Sequence, residues 1–291
     1  MGLHGSDEGC LIIGDKKIAL IDCGMAFCAE QKIKKIKSIT NRDVDYLIVG
    51  HSHYDHIGSI PHFKRVWPSA KVVSSAHAAE VFKKPGALRT IRELSVTAAN
   101  TFRNETAEYA GNYSDDELKT DIIVHENDLI NLGDLTIEIL ETPGHTRCSL
   151  SFFIPELDLC IAGETIGVLT SETTMYPCYL VGYKMTQDSI EKCMAKGAKH
   201  IYSPHFGIID DCIVPNYFKI ARRTLIDCRD LILDGYYSGL SETEIIELFR
   251  KAYRTKAVIE KQPEKAFYLN TVVTIRTTIA ECAEIRSRIE V

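Results

Sequence analysis

The chain has no Cys-x-x-Cys pair, no apolar run near membrane-span length and no excess of basic residues. Each absence removes a class of protein. Without paired cysteines at metal or redox spacing, a zinc ribbon and a thioredoxin-like motif drop out. Without roughly 18 consecutive apolar residues there is no membrane helix to expect. Against 40 Asp and Glu stand 34 Lys and Arg, for a formal charge of −6. Nothing therefore collects nucleic-acid phosphates, and no nucleic-acid partner is expected. The opening residues MGLHGSDEGC carry neither a basic nor an apolar segment, so a cytoplasmic location is expected.

What is present is a chain of 291 residues with ten cysteines and ten histidines. The length allows one large domain or two ordinary ones, with a core that needs no disulfides. The cysteines are expected to be reduced and mostly buried. The histidines are not spread evenly.

The first strands read as Cys10 to Ile13 and Lys17 to Ile21, joined by a two-residue hairpin at Gly14-Asp15. Ile33, Ile36 and Ile39 mark a helix. Tyr46 to Val49 is a compact apolar run, consistent with a strand buried on both faces. A helix through Pro61 to Val66 and a strand from Ala70 to Val73 follow, so the pattern is α/β. From about 85 to 121 the sequence changes character, with Leu88, Ile91, Leu94 and Val96 at helical spacing, and is read as a helical insertion rather than core. Strands resume at 121–124, 129–132 and 135–140. Ser149 to Ile154 and Leu157 to Ile161 look like a hairpin, and His200 to Ser203 like a short strand. Beyond Asn216 the chain reads as helical, with a capping box at Ser241 and Glu244.

The informative segment is 51-HSHYDH-56, three imidazoles and a carboxylate directly after a buried strand. These are ligand types for zinc, iron and manganese, and a turn at a strand end can aim them into one pocket. His145 lies in a Pro-Gly turn, 142-TPGHT-146. Glu164 follows a strand end in 161-IAGET-165, and His205 sits just past a short strand in 203-SPHFG-207. Glu164 has a second reading as the cap of a helix starting at Thr165. The other histidines, His4, His62, His77, His125 and His200, have no neighbours at ligand spacing. Tyr54, Arg147 and Cys148 lie near the clusters, where packing or a surface role is the commoner fate.

In this order, His51, His53, Asp55, His56, His145, Glu164 and His205, with Asp22 in the preceding LIDCG stretch, make the chain resemble the metallo-β-lactamase-fold hydrolase superfamily over roughly residues 10 to 210. The resemblance implies a four-layer αββα sandwich over residues 1–212, followed by a helical extension over 213–291 that packs on it. It implies two divalent metal ions, zinc first, with iron or manganese as alternatives. His51, His53 and His145 would hold one metal. Asp55, His56 and His205 would hold the other, and Glu164 would stand where the family most often has a bridging aspartate. Asp55 would also orient the activated water. Asp22 would accept a hydrogen bond from a ligand histidine, or else is a turn residue before Gly24.

The expected activity is hydrolysis of an ester, thioester, lactone or phosphodiester in a small substrate. The contrasting expectation is a non-catalytic metal-binding regulatory or interaction protein on the same fold, motivated by Glu164 and the helical tail. An oxygen-reducing diiron protein is a third reading, disfavoured because that branch typically has glutamate at position 53. The C-terminal helices are expected to cover the metal edge or to form a homodimer face.

Overall fold

The computed structural model describes residues 9–102 and 112–289. His4 and part of the expected insertion lie outside the described residues. The chain divides into two compact units, Met1–Glu141 with Leu150–Leu157, and Thr142–Ser149 with Asp158–Val291.

The first unit carries a five-stranded sheet in sequence order: β1 (Cys10–Ile13), β2 (Ile18–Ile21), β3 (Tyr46–Ile48), β4 (Lys71–Ser75) and β5 (Ile122–Val124). β1 and β2 are antiparallel; β2 through β5 run parallel. Between them come α1 (Ala29–Ile39), α2 (Tyr54–Ile57), α3 (Ile60–Val66), α4 (Ala76–Val81) and α5 (Pro85–Phe102). β6 (Leu129–Asn131), β7 (Thr136–Glu141) and β8 (Leu150–Ile154) form an antiparallel meander. Leu20, Leu47 and Val72 from the sheet bury against Ile36, Phe63 and Trp67 from the helices, each large side chain removing apolar surface worth roughly 1.5–3 kcal/mol.

Two expectations change here. The link between β1 and β2 is four residues, not two, because Ile13 pairs with Ile18 and Gly14 N donates to Lys17 O at 3.0 Å. Lys16 N and Lys17 N both donate to Leu132 O at 3.0 Å, which draws Lys17 out of the ladder. The helix read in the insertion is α5, yet its Leu88 and Ile91 lie within the core cluster of the first sheet, and Ala98 and Ala99 pack with Met25 and Phe27. Helical spacing shows that a face is apolar, not what it packs against.

His62 on α3 is 2% exposed, and burial pushes its pKa down to about 4, aided by Arg65 and opposed by Glu117. A histidine held neutral in the fold charges first in the unfolded chain, so stability falls as pH drops from 6.5 towards 4. The expected loss is about 3 kcal/mol across that window. Urea melts at pH 7 and about pH 4.5 check it: His62→Gln should be less acid-sensitive than the parent, and an equal slope contradicts the assignment.

The second unit carries β9 (Leu159–Ile161), the hairpin of β10 (Val168–Leu169) and β11 (Met175–Tyr176), α6 (Tyr183–Ala195), β12 (His200–Ser203) and β13 (Gly207–Ile208). β9 and β12 are parallel, β12 and β13 antiparallel. The C-terminal region is helical: α7 (Val214–Tyr237), α8 (Glu242–Tyr253), α9 (Lys256–Lys261) and α10 (Glu264–Ile289). The Ser241–Glu244 capping box forms as read. Tyr176 of β11 joins Phe249, Tyr253 and Phe267 in one aromatic cluster, with ring centroids 4.8–6.5 Å apart, so hairpin and helices share a core.

Eight of the ten cysteines are buried, all but Cys10 and Cys212. Among the described residues no helix is long and apolar enough to cross a membrane.

Candidate metal centre

Each unit holds one cluster of ligand-type side chains, and in each a parallel strand pair builds it. In the first unit Ile21 pairs with Ile48, so β2 and β3 end together. Asp22 and the His51–His56 loop therefore leave the same sheet edge. Asp22 adopts φ 56°, the left-handed region, which aspartate tolerates better than most residues. Its Oδ1 accepts from Gly50 N at 2.7 Å and its Oδ2 from His56 Nδ1 at 2.8 Å. A carboxylate only accepts, so the proton sits on Nδ1 and Nε2 of a neutral His56 ring keeps its lone pair. Cys23 N and Gly24 N also donate to His56 O, at 2.7 and 3.0 Å. Lys32, fully buried, donates to Cys23 O at 2.9 Å, which fixes that loop from behind.

The His51 ring centroid lies 4.6 Å from that of His53, edge to face, and 3.9 Å from that of His56, tilted, and Asp55 Oδ2 lies 3.8 Å from His56 Nε2. Three imidazoles and two carboxylates thus gather at one strand end, with His51 and His56 each 2% exposed.

In the second unit Leu159 pairs with His200, and that register, carried past the strand ends, sets Glu164 opposite His205. Glu164 Oε1 lies 2.6 Å from His205 Nε2, and Oε2 lies 3.0 Å from His145 Nε2. Burial alone would raise the Glu164 pKa, but the two imidazoles outweigh it and hold the carboxyl well below the ordinary range. Glu164 does not cap a helix starting at Thr165: it is the first residue of the single turn Glu164–Ile166, whose N-cap is Gly163, and its carboxylate faces the two histidines instead. His145 is held by its Nδ1–H on Cys178 O at 2.9 Å and by its main-chain N on Thr165 Oγ1 at 3.1 Å. Gly144 before it adopts φ 148°, and a Cβ there would stand 2.2 Å from Thr186 Oγ1, so this turn requires glycine.

Sequence reasoning missed Cys178, Thr165 and Gly50 as supports. Thr165 follows Glu164 directly; Cys178 has no local signal, since its carbonyl acts. The Cys178 thiol is also close: a donor atom from each of Cys178, His145 and Glu164 lies within 4.8 Å of the others, all buried. Cys148 is buried beside Thr146 Oγ1 at 3.1 Å, Tyr54 packs on the core, and Arg147, His77, His125 and His200 are exposed.

The donor chemistry fits first-row divalent ions. Imidazoles whose second nitrogens are anchored to carboxylate or carbonyl oxygen, as Nδ1 of His56 and His145 are, are the usual arrangement around such a metal.

The sequence model of the Metallo-beta-lactamase superfamily matches residues 10–205. The chain belongs to the metallo-β-lactamase superfamily. It is similar to the metallo-beta-lactamase fold-containing protein ST1585 of Sulfurisphaera tokodaii, 23% identical over 72% of this chain and 76% of that one. It is also similar to a nitric oxide reductase of Moorella thermoacetica, 32% identical over 56% of this chain but only 35% of that longer protein. Among solved structures, the metallo-beta-lactamase family protein TTHA1429 of Thermus thermophilus superposes with a TM-score of 0.63 at 17% identity, covering 93% of this chain and 87% of that one. The fold is that of the superfamily, α/β with mixed sheets and a C-terminal helical region. The superfamily consists mostly of metal-dependent hydrolases.

Proposed function

We propose that this superfamily member hydrolyses an ester, thioester, lactone or phosphodiester bond of a small substrate, using two divalent ions. The observation that carries the reading is Glu164, a buried carboxylate set between His145 and His205 and kept ionised by them. In this reading His51, His53 and His145 hold one ion, Asp55, His56 and His205 the other, and Glu164 contributes to both. When bound, the ions supply Lewis acidity, which yields a nucleophile from water near neutral pH and stabilises the developing oxyanion.

The chain's own residues do the rest. Asp22 and the Cys178 carbonyl fix the His56 and His145 rings with Nε2 presented. Glu164 supplies negative charge where cations are to sit. Asp55, in the first turn of α2 and 19% exposed at its side chain, binds its ion and orients the attacking water. Zinc is the first choice of metal, on the predominance of imidazole and carboxylate donors.

A second reading, reduction at a diiron centre, draws support from the Moorella match. His53, where that branch typically has glutamate, weighs against it. Metal analysis and a panel of chromogenic esters, thioesters, lactones and bis-phosphodiesters separate the readings. The parent should hold about two equivalents and turn over at least one substrate class, while His53→Ala should hold under about half an equivalent. Full metal content in His53→Ala removes the ligand assignment. Inactivity of the fully metallated parent across the panel favours a non-catalytic metal-binding role, and redox activity only with iron favours the diiron reading.

A further inference from the structure

Side chains of the C-terminal helices reach the His205 turn: Tyr217 Oη of α7 donates to Ser203 Oγ at 3.3 Å, and Lys261 of α9 reaches His205 itself. β12 ends at Ser203 and β13 starts at Gly207, so His205 sits at the apex of a tight turn in which Phe206 N donates to Ser203 O at 3.2 Å. At φ 56° the His205 backbone is left-handed, a conformation that persists only when its surroundings determine it. Its carbonyl accepts from Lys261 Nζ at 2.6 Å. The same ammonium stands 5.9 Å over the Phe206 ring, so Lys261 grips two consecutive residues of the turn.

Lys261 is itself placed by the helices around it. It is the last residue of α9, whose Val258 is buried. The carbonyl of the following Gln262 accepts from Arg254 Nη1 at 3.0 Å. Arg254, 8% exposed at its side chain, pairs with Glu264 at 3.2 Å and lies 4.6 Å over Phe267. A continuous set of contacts therefore runs from α8 and α10 through α9 to the main chain of His205, whose ring meets Glu164.

We propose that Lys261 is a positioning residue for His205, and that through it the C-terminal helices set the geometry of the second unit's metal-binding cluster. The proposal rests on the reading of His205 as a ligand. A plain helix-end lysine, favourable for the helix dipole alone, would point its ammonium at carbonyls of its own last turn. Here the ammonium reaches a carbonyl 56 residues away in sequence.

Two variants test this: Lys261→Met, which keeps the aliphatic stem, and Lys261→Arg, which keeps charge and donors. The first readout uses metal-free protein: the imidazole N–H proton of His205 hydrogen-bonded to Glu164, followed by NMR and assigned by its loss in His205→Asn. Lys261→Met should shift or broaden it, and Lys261→Arg should restore it in part. The second readout is cobalt(II) titration against a competing chelator. Lys261→Met should weaken one of two equivalents by roughly 10- to 100-fold and leave the other as in the parent. An unchanged His205 resonance in Lys261→Met overturns the proposal. Equal weakening of both equivalents, with a lowered Tm that Lys261→Arg does not rescue, also overturns it and makes Lys261 a support of the fold alone. A parent that binds fewer than two equivalents counts against the hydrolase reading, while the metal-free resonance still decides the role of Lys261.

Discussion

Glu164→Gln is expected to hold at most about one metal equivalent and to lose roughly 10³-fold or more in kcat/KM on any substrate the parent turns over. Glutamine occupies nearly the same volume, so the loss is one of charge. Glu164 is buried at 8% exposure and spans His145 and His205, 3.0 and 2.6 Å away. An amide offers one oxygen and one NH2 in place of two equivalent acceptors, so one imidazole loses its acceptor and any cation loses its counter-charge.

The pH dependence of stability in metal-free protein has a fixed sign. A carboxyl whose folded pKa is depressed contributes stability above its ordinary value of 4.5, lost as pH falls through the folded value. The stability advantage of the parent over Glu164→Gln should be largest near neutrality and shrink below about pH 4.5. Glu164→Asp separates reach from charge: one methylene shorter, it can meet one imidazole closely but not both at these separations, and a loss of about tenfold in metal affinity is expected. Elemental analysis and melting curves across pH decide the matter. Two equivalents and undiminished turnover in Glu164→Gln would sink the metal role of this residue.

Gly50→Ala should damage both the fold and the His51–His56 cluster. A Cβ there would stand 2.7 and 2.9 Å from the two Asp22 carboxylate oxygens. Those oxygens cannot swing aside cheaply, because one holds Gly50 N and the other His56 Nδ1. Overpacking of this kind costs about 1–3 kcal/mol, and displacement of Asp22 releases the His56 ring, with an expected 10- to 100-fold loss of metal affinity. Asp22→Asn, which keeps the shape, should lose affinity with little change in Tm. The pair thus tells steric from electrostatic damage. Parent-like Tm and metal affinity in Gly50→Ala would show that the contact is relieved at no cost.

Much of this was legible from local pattern. The apolar run Tyr46 to Val49 marks β3, and the histidines that follow it stand at its end. The Pro-Gly dipeptide before His145 marks a turn that needs glycine for steric reasons the structure makes visible. Helix α6 had no such signal. Its buried positions Tyr183, Thr186, Ser189, Ile190 and Cys193 keep helical spacing but are mostly small and polar, so hydrophobic periodicity passes over them. The hairpin of β10 and β11 is too short to show a period. The supports of the two clusters were out of reach for another reason: Cys178 and Lys261 act on or through main-chain carbonyls 33 and 56 residues distant. Such pairings depend on the register of whole elements and leave no mark on neighbouring sequence.

Asp22 and His205 share a feature with consequences beyond the metal. Both hold left-handed backbone, a conformation that glycine adopts without penalty and other residues at about 1 kcal/mol or more. Each lies where a strand hands over to a loop, and each carries a side chain that the clusters use. Ranked for folding alone, glycine would be a strong competitor at both positions. Among the described residues four non-glycines hold left-handed backbone; Asn127 and Asp158 lie outside the clusters, while Asp22 and His205 put that tension beside the side chains that carry the chemistry. Screens that reward thermal stability without assaying metal content would be drawn towards these two positions, and would erase the chemistry while improving the fold.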